Sequence, residues 1–462
     1  MSPQHGIDPA HDPVHEPAHD PVPEFVAMAA LHERCFWLDG GGARPWSGRR
    51  SILGWLDDDD VSLTYDAARR EVSRHSGGRS VVVGDDIFRV LEDELAAGPP
   101  DAHWVGYFGY ACRPDLPAQV RPAGARGMPD AIWMRARDVR VIEHPEVEPL
   151  PPLMPAVEVR RAQRGASKPP SEYEAAFDRV QEQLRAGNSY EVNLTHRIGV
   201  RSELHPVAAY LRLRELNPAP YAGYIQHGEH TLLSSSPERY ATIDRGRSIE
   251  TKPIKGTAPR GAGAADDERR RDLLATDPKC RAENLMIVDL LRNDLGMVCE
   301  PGTVEVPALM EVESYATVHQ LVSTVRGRLR PDVSTVGALR ALFPAGSMTG
   351  APKLRTMEVI RDVEASPRGV YAGAFGWISG DGRADLGVVI RSLTSTGDGS
   401  WELGTGGGIT VRSDVVEEQA ECGWKAERLL RVFDPRTAED TVEDTVEDGV
   451  GRRHVGRHPT PG

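Results

Sequence analysis

Lysine is nearly absent from this chain. Of its 55 basic residues, only Lys168, Lys252, Lys255, Lys279, Lys353 and Lys425 are lysine. Positive charge is therefore arginine by default, and each surviving lysine is informative. An amine can lose its proton and attack carbon, whereas a guanidinium stays protonated. Cysteine is sparse as well: Cys35, Cys112, Cys280, Cys299 and Cys422 are odd in number and scattered, which suits reduced thiols rather than a disulfide framework. Excess positive charge is missing too. A net charge of -14 argues against a nucleic-acid or membrane-surface partner. No run approaches the roughly 18 apolar residues of a membrane span. The opening MSPQHGIDPAHDPVHEPAHDPVPE has neither the basic region nor the apolar core of a signal peptide. These absences predict a cytoplasmic protein.

What is present is a globular composition, 39% hydrophobic and 27% charged over 462 residues, enough for two or three average domains or one large core with additions. Residues 1–24 are Pro- and His-rich with a degenerate HDP repeat, and residues 434–462 carry TAEDTVEDTVED before a basic, Gly-rich end; both are expected to be disordered. Residues 146–170 hold too many prolines for a helix or a central strand and read as a linker. That leaves an N-terminal region, 25–145, and a C-terminal region, 171–433.

The C-terminal region opens with a helix: Ser171 and Glu174 form a capping box, Tyr173, Phe177, Val180 and Leu184 line one face, and Gly187 ends it. Tyr190 to Val200 alternates as a half-buried strand, with Val192, Leu194, Ile198 and Val200 on one face and Glu191, Asn193, Thr195 and Arg197 on the other. Strands are expected next at 221–227, 231–236, 239–244 and 247–251. Consecutive short strands without intervening helices favour antiparallel pairing, so the expected fold is mixed α/β (α+β) on large sheets rather than a doubly wound one.

Several motifs fail on chemistry. HEPAH, residues 15–19, spells a zinc-protease pattern, but Pro17 forbids the helix that would bring both imidazoles to one metal. GTGGGIT (404–410) and GSMTGAPK (346–353) lack the spacing of nucleotide-binding fingerprints; they are expected to be Gly-rich turns whose backbone N–H groups could hold an anion. A constellation does hold. Glu283 opens the expected helix 282–296, which also carries Asp289 and Asp294. Glu418, Glu421 and Lys425 share one face of a second helix, about 414–433. Carboxylates from two helices, with a Gly-rich loop and arginines between them, would suit Mg2+ bridging to a carboxylate substrate.

SSSPERY (234–240), KPIKGTAPRG (252–261), AENLMIVDLLRNDLG (282–296), ATVHQLVSTVRG (316–327), FPAGSMTGAPK (343–353), RGVYAGAFGW (368–377), VVIRSL (388–393) and GTGGGI follow one another in the order seen in the chorismate-utilising enzymes. RRSILGW (49–55) and WVGYFGYACRPDL (104–116) extend the likeness into the N-terminal region. The chain resembles that family, which includes anthranilate synthase, aminodeoxychorismate synthase, isochorismate synthase and salicylate synthase, and within it is most similar to aminodeoxychorismate synthase component I. The resemblance implies an anthranilate synthase component I-like fold, large antiparallel sheets packed as a sandwich with helices outside. It also implies a chorismate substrate, Mg2+, and amination at C4 with ammonia from a separate glutamine amidotransferase subunit in a heterodimer. Anthranilate synthase component I is the alternative.

Carried over residue by residue, Lys255 in PIKGT would attack C2 of chorismate as the C4 hydroxyl leaves, and its ammonium pKa would have to be lowered, with Lys252 and Mg2+ contributing. Glu238 would be the general acid. Glu283 and Glu421 would hold Mg2+, supported by Glu418. Tyr371, Arg391 and the Gly406, Gly407 and Gly408 amides would bind the substrate carboxylates, with Lys425 nearby, while Thr257 and His319 line the pocket. Members that add water carry a lysine where Glu191 stands, and many that aminate carry Gln, so Glu191 is a departure from both. Cys280 replaces a residue that is often acidic in relatives. Ser51 with Asn217, Pro218, Pro220 and Tyr221 outlines the tryptophan site of relatives, although CFWLDGGG (35–42) departs from the usual pattern there.

Overall fold

The computed structural model describes residues 15–16, 20–40, 50–144, 171–315 and 318–434. The expected linker, residues 17–19 of the HEPAH motif, Gly41 and Gly42, and nearly all of 434–462 lie outside them. Strand formation follows composition: His103–Phe108 (HWVGYF) and Ala131–Ala136 (AIWMRA) are rich in aromatic and branched residues, which fit a pleated surface covered on both faces.

Two large sheets result. The first runs His15–Glu16, Asp138–Glu143, Arg50–Trp55, Arg34–Asp39, Tyr221–His227, His230–Ser236, Ser392–Ser395, Ser400–Ile409, Glu191–Arg201 and Gly350–Ala351. The second runs Ile254–Pro259, Val318–Arg328, Ser248–Lys252, Arg239–Ile243, Ala384–Val388, Ala374–Ser379, His103–Phe108, Ala131–Ala136, Ser62–Asp66, Glu71–Ser76 and Arg79–Gly84, with Glu305–Ser314 also paired to Val318–Arg328. Pairing is antiparallel among the described strands, apart from the two-residue His15–Glu16 piece, which lies parallel to Asp138–Glu143. Segments from both sides of residues 146–170 contribute to both sheets, so the two regions of sequence do not fold as two separate cores.

The sheets face each other across a layer formed by Phe36, Tyr221, Ile225 and Leu232 of the first and Val105, Tyr107, Ile132 and Phe375 of the second. Helices cover the outer faces. Pro278–Gly296 presses Ile287, Leu291 and Leu295 into the core that holds Val325 and Leu329. Pro206–Leu216 does the same for the first sheet through Val207, Tyr210 and Leu213.

Three boundaries differ from the sequence reading. A helix occupies Val22–Leu31, starting inside the expected N-terminal tail, because Phe25 and Met28 find a buried seat against Trp37 and Tyr210. The helix expected to start at Ala282 starts at Pro278, capped by the Asp277 carboxylate on the Cys280 amide; a first-turn proline loses no hydrogen bond there. The polar row Glu191, Asn193 and Thr195 is buried rather than solvent-facing.

Removing an aromatic ring from the layer between the sheets leaves a cavity that neither sheet can collapse into. Phe375→Ala is expected to cost about 3–5 kcal/mol, read as a lowered urea midpoint at unchanged slope.

Candidate active site

Two places where the chain leaves one sheet for the other lie side by side. The first is Pro237-Glu238, between His230–Ser236 of the first sheet and Arg239–Ile243 of the second; the other, residues 389–391, joins Ala384–Val388 back to Ser392–Ser395. The Ser235 amide and hydroxyl both donate to the Arg391 carbonyl, at 3.2 and 3.0 Å, which fastens the crossings together and brings the Glu238 and Arg391 side chains into one region. Arg391 itself is held at φ +50°, a conformation that costs a non-glycine residue.

Lys255 enters from the strand Ile254–Pro259, and its Nζ is ion-paired with the Glu191 carboxylate from the strand Glu191–Arg201. Two glycines make room. Gly256 has φ +94°, and a Cβ there would fall 2.8 Å from Cys280 Sγ, so the turn after Lys255 closes only without a side chain. A Cβ at Gly408 would fall 2.3 Å from Glu191 Oε1 and 3.1 Å from Lys255 Nζ. The Gly-rich stretch is thus not a loop: it lies in the strand Ser400–Ile409, paired residue for residue with Glu191–Arg201. GSMTGAPK likewise divides into a short 3-10 turn at Gly346–Met348, the edge strand Gly350–Ala351 and the start of the helix Lys353–Val363.

The charges cluster, and their protonation follows from burial. The Glu238 carboxyl is pushed up to about 7, chiefly by burial, against the hydrogen bond from Ser347 Oγ (2.6 Å) and the pull of Lys255, Arg391 and Lys425. Glu283 is also raised to about 7, by burial and by Glu191 and Glu418, with Lys255 and Lys279 opposing. For Lys255 the structure corrects the expectation of a lowered pKa. Burial disfavours its charge, but Glu191, Glu283 and Glu238 outweigh burial and hold the ammonium well above its ordinary range. Lys252 does not contribute, because its amine is paired with Glu313 at 2.7 Å.

On the helix Val415–Leu430, Lys425 bonds Glu421 and the Gly406 carbonyl, each at 2.8 Å. Burial raises the Glu421 carboxyl, but Lys425, Lys279 and Lys255 more than offset it and keep the group below its usual range. Lys279, one turn before Glu283, reaches across to Glu418 at 3.0 Å. Neither Lys279 nor Ser347 was singled out from sequence as a site residue. The signal for Lys279 was its i, i+4 spacing to Glu283 together with the scarcity of lysine. The other lysine after residue 250, Lys353, pairs with Asp294 at 2.5 Å away from this cluster.

Arg391 is the cation left over. Its guanidinium forms no ion pair among the described residues, and burial, reinforced by Arg428 and opposed by Glu238, pushes its pKa down to about 10. Tyr371 lies close by, with the Arg197 guanidinium 5.1 Å over its ring, and a cavity of about 450 Å3 opens beside Tyr371 and Gly404 toward Arg121 and Arg126. Lys255 and Glu238 do not line that cavity. Thr257 and His319 sit on adjacent strands, Ile254–Pro259 and Val318–Arg328. Both His319 ring nitrogens are engaged, Nε2 with Asp267 Oδ1 at 3.0 Å and Nδ1 with Ser314 Oγ at 2.8 Å.

The donor set suits a hard divalent cation, since it offers carboxylate oxygen alone. Glu283 Oε1 is buried with no hydrogen-bond partner among the described residues, an acceptor that such an ion would satisfy. Lys279 and Lys425 cover Glu418 and Glu421, and among the described residues no three acidic or imidazole groups converge as a ready-made metal site. The second outlined site is tightly bonded. Ser51 Oγ meets His144 Nε2 at 2.8 Å and Asp39 Oδ1 at 3.3 Å. Asn217 Nδ2 donates to Ser235 Oγ at 2.7 Å, and the Tyr221 hydroxyl donates to Asp385 at 2.8 Å. Pro220 is buried beside them and Pro218 is exposed.

This sandwich, with its carboxylate and ammonium cluster at the sheet crossings, belongs to a known family. The chain is a member of the chorismate binding enzymes, whose profile matches residues 34–431. It is 40% identical over 453 residues to the aminodeoxychorismate synthase of Streptomyces pristinaespiralis, covering 88% of this chain but only 62% of that relative. It is 33% identical over 462 residues to anthranilate synthase component 1 of Streptomyces coelicolor, covering 93% and 89%. The crystal structure of anthranilate synthase component I from Streptococcus pneumoniae TIGR4 superposes with a TM-score of 0.68 at 25% identity, over 92% of this chain and all of that one. The fold is therefore the anthranilate synthase component I-like one. No helix among the described residues is long and apolar enough to cross a membrane.

A buried carboxyl raised to about 7 takes up a proton in the folded state that the unfolded chain has already released, so it costs stability as pH rises from about 4.5 to 7 and above. Glu238→Gln, which removes that ionisation, is expected to raise the melting temperature at pH 8, with the gain fading toward pH 5; a gain of equal size at both values would contradict the assignment.

Proposed function

We propose that this chain is the chorismate-aminating component of an aminodeoxychorismate synthase, converting chorismate to 4-amino-4-deoxychorismate. The observation that carries the reading is the burial of a lysine amine, Lys255, in the same charge cluster as Glu238, a carboxyl with pKa about 7, with Arg391 in no ion pair among the described residues. A pKa near the working pH suits a group that must both give and take a proton. Glu238 protonates the departing C4 hydroxyl and later takes a proton from the incoming ammonia. Lys255 forms the transient bond at C2 that lets the C4 hydroxyl leave. Tyr371, Arg391 and the Gly406–Gly408 amides bind and orient the substrate carboxylates, with Lys425 adjacent. Mg2+, held by Glu283 and Glu421 with Glu418 in support, would offset the negative charge that the substrate brings to a site already rich in carboxylates.

Ammonia comes from a glutamine amidotransferase subunit, and free ammonium at high concentration replaces it. The component naming of relatives, such as aminodeoxychorismate synthase component 1 of Klebsiella aerogenes, supports a two-component arrangement. Anthranilate synthase is the second reading, favoured by the near full-length similarity to the Streptomyces coelicolor enzyme. Against it stands His319: with both ring nitrogens bonded to Asp267 and Ser314, it is poorly placed to act on the enolpyruvyl group.

Product identity decides. With chorismate, Mg2+ and excess ammonium, chromatography with mass detection is expected to find an amine that keeps the enolpyruvyl group, whereas anthranilate with pyruvate would overturn the reading. Lys255→Ala is expected to lower amination by about a thousandfold, a barrier change of about 4 kcal/mol. For the metal, Glu283→Ala is expected to abolish Mg2+ binding measured by calorimetry without substrate, and an unchanged isotherm would remove Glu283 from the ligand set.

A further inference from the structure

The Lys255–Glu191 pair poses a problem for a nucleophilic lysine. An ammonium has no lone pair, and Lys255 is held as an ammonium by the groups around it. The Glu191 carboxylate is fully buried and is the group bonded to Nζ. Its second oxygen, Oε2, is buried with no hydrogen-bond partner among the described residues. Glu238, Glu283 and Glu421 act on Lys255 through space, and Lys425 and Arg391 complete the charges about the site; none of these is hydrogen-bonded to Nζ among the described residues. Gly408, whose Cβ would collide with Glu191 Oε1, keeps the contact tight.

We propose that Glu191 is the proton acceptor that unmasks the Lys255 amine and returns the proton when the Lys255–substrate bond breaks. The inference rests on Lys255 being the nucleophile. In the forward step one Nζ–H bond breaks, its electron pair stays on nitrogen, and the proton bonds to a Glu191 oxygen. The ion pair becomes an amine beside a carboxylic acid, with no change in net charge. In a buried site the neutral pair avoids the desolvation that burdens the charged one, which offsets part of the cost of taking a proton from the ammonium. Nζ then bonds to C2 while the C4 hydroxyl leaves as water, taking its proton from Glu238. When ammonia has attacked C4 and the C2–Nζ bond breaks, that electron pair returns to nitrogen, Nζ recovers its proton from Glu191, and Glu238 is reloaded from the new ammonium group. A glutamine here would hold the lysine but could not take its proton.

The test uses the full chain with chorismate and no ammonia, following the covalent adduct by intact-mass spectrometry after rapid quenching. Wild-type adduct formation is expected to slow above pH 7 as Glu238, the acid for the departing hydroxyl, loses its proton. Glu191→Gln is expected to be slower by about a hundredfold at pH 7, and the ratio of its rate to the wild-type rate is expected to rise about tenfold per pH unit, since solvent must then remove the lysine proton. A ratio that does not change with pH would overturn the proposal. If Glu191→Gln fails to fold, as judged by its thermal melt, Glu191→Asp decides: a ratio below one that does not change with pH supports the proposal and one that rises with pH overturns it. Lys255→Ala separates the two readings. If it aminates chorismate normally, the nucleophile itself is wrong and this inference falls with it; an adduct on Lys255 that is indifferent to Glu191→Gln overturns the inference alone.

Discussion

Charge buried between two sheets must be paired, and this structure is arranged around that requirement. The first half of the strand Glu191–Arg201 places a row of polar side chains, Glu191, Asn193, Thr195 and Arg197, in the interior. Glu191 meets Lys255, and Asn193 donates to the Met348 carbonyl. Thr195 and Arg197 both bond Glu364, which also takes Arg368. Breaking one buried partner of this kind typically costs about 3–5 kcal/mol. The row therefore fixes the position of the Gly346–Met348 turn, the end of the helix Lys353–Val363 and the strand that carries Lys255. The site is made of the same contacts that hold the sandwich closed.

The crossings between sheets supply the second element. At Glu238 and at residues 389–391 the chain passes from one layer to the other, and the crossings are bonded to each other through Ser235 and Arg391. Val389 and Ile390 there pack into the hydrophobic clusters, while Glu238 and Arg391 are the charged groups at the crossings. That is where the Glu238 carboxyl is buried enough to be raised to about 7, while Arg391 forms no ion pair among the described residues. The helices Pro278–Gly296 and Val415–Leu430 then bring Glu283, Glu418 and Glu421 up to the same space, each tempered by a lysine. The result is a site with nearly balanced charge, in which Arg391 forms no ion pair among the described residues.

Residue periodicity and motif order carried much of this. The strands at 221–227 and near 231–236, 239–244 and 247–251 were legible from alternation, as was the helix from Ser171, because local hydrophobic spacing reflects which face is covered. The family motifs named Lys255, Glu238, Glu283, Glu421 and Arg391, since their chemistry depends on residue type. What alternation could not tell is whether a polar face meets water or another layer. Glu191, Asn193 and Thr195 look like a solvated strand edge until Lys255, the Gly346–Met348 turn and Glu364 cover them. The glycines of GTGGG look like a loop until the register with Glu191–Arg201 shows a strand, in which Gly404 makes room for Tyr371, Gly407 for Glu418 and Gly408 for Glu191.

The sequence by itself determined the antiparallel, mixed architecture, the scarcity of lysine that made Lys255 conspicuous, and the residue types at each motif, because all of these are local or compositional. The tertiary structure alone decided the protonation of Lys255, the pairing of Lys279 with Glu418, the support of Glu238 by Ser347 and the closure of His319 between Asp267 and Ser314. Each of those depends on a partner between 5 and 139 positions away along the chain, and electrostatic energy in a buried site is set by distances in space that no spacing in sequence encodes.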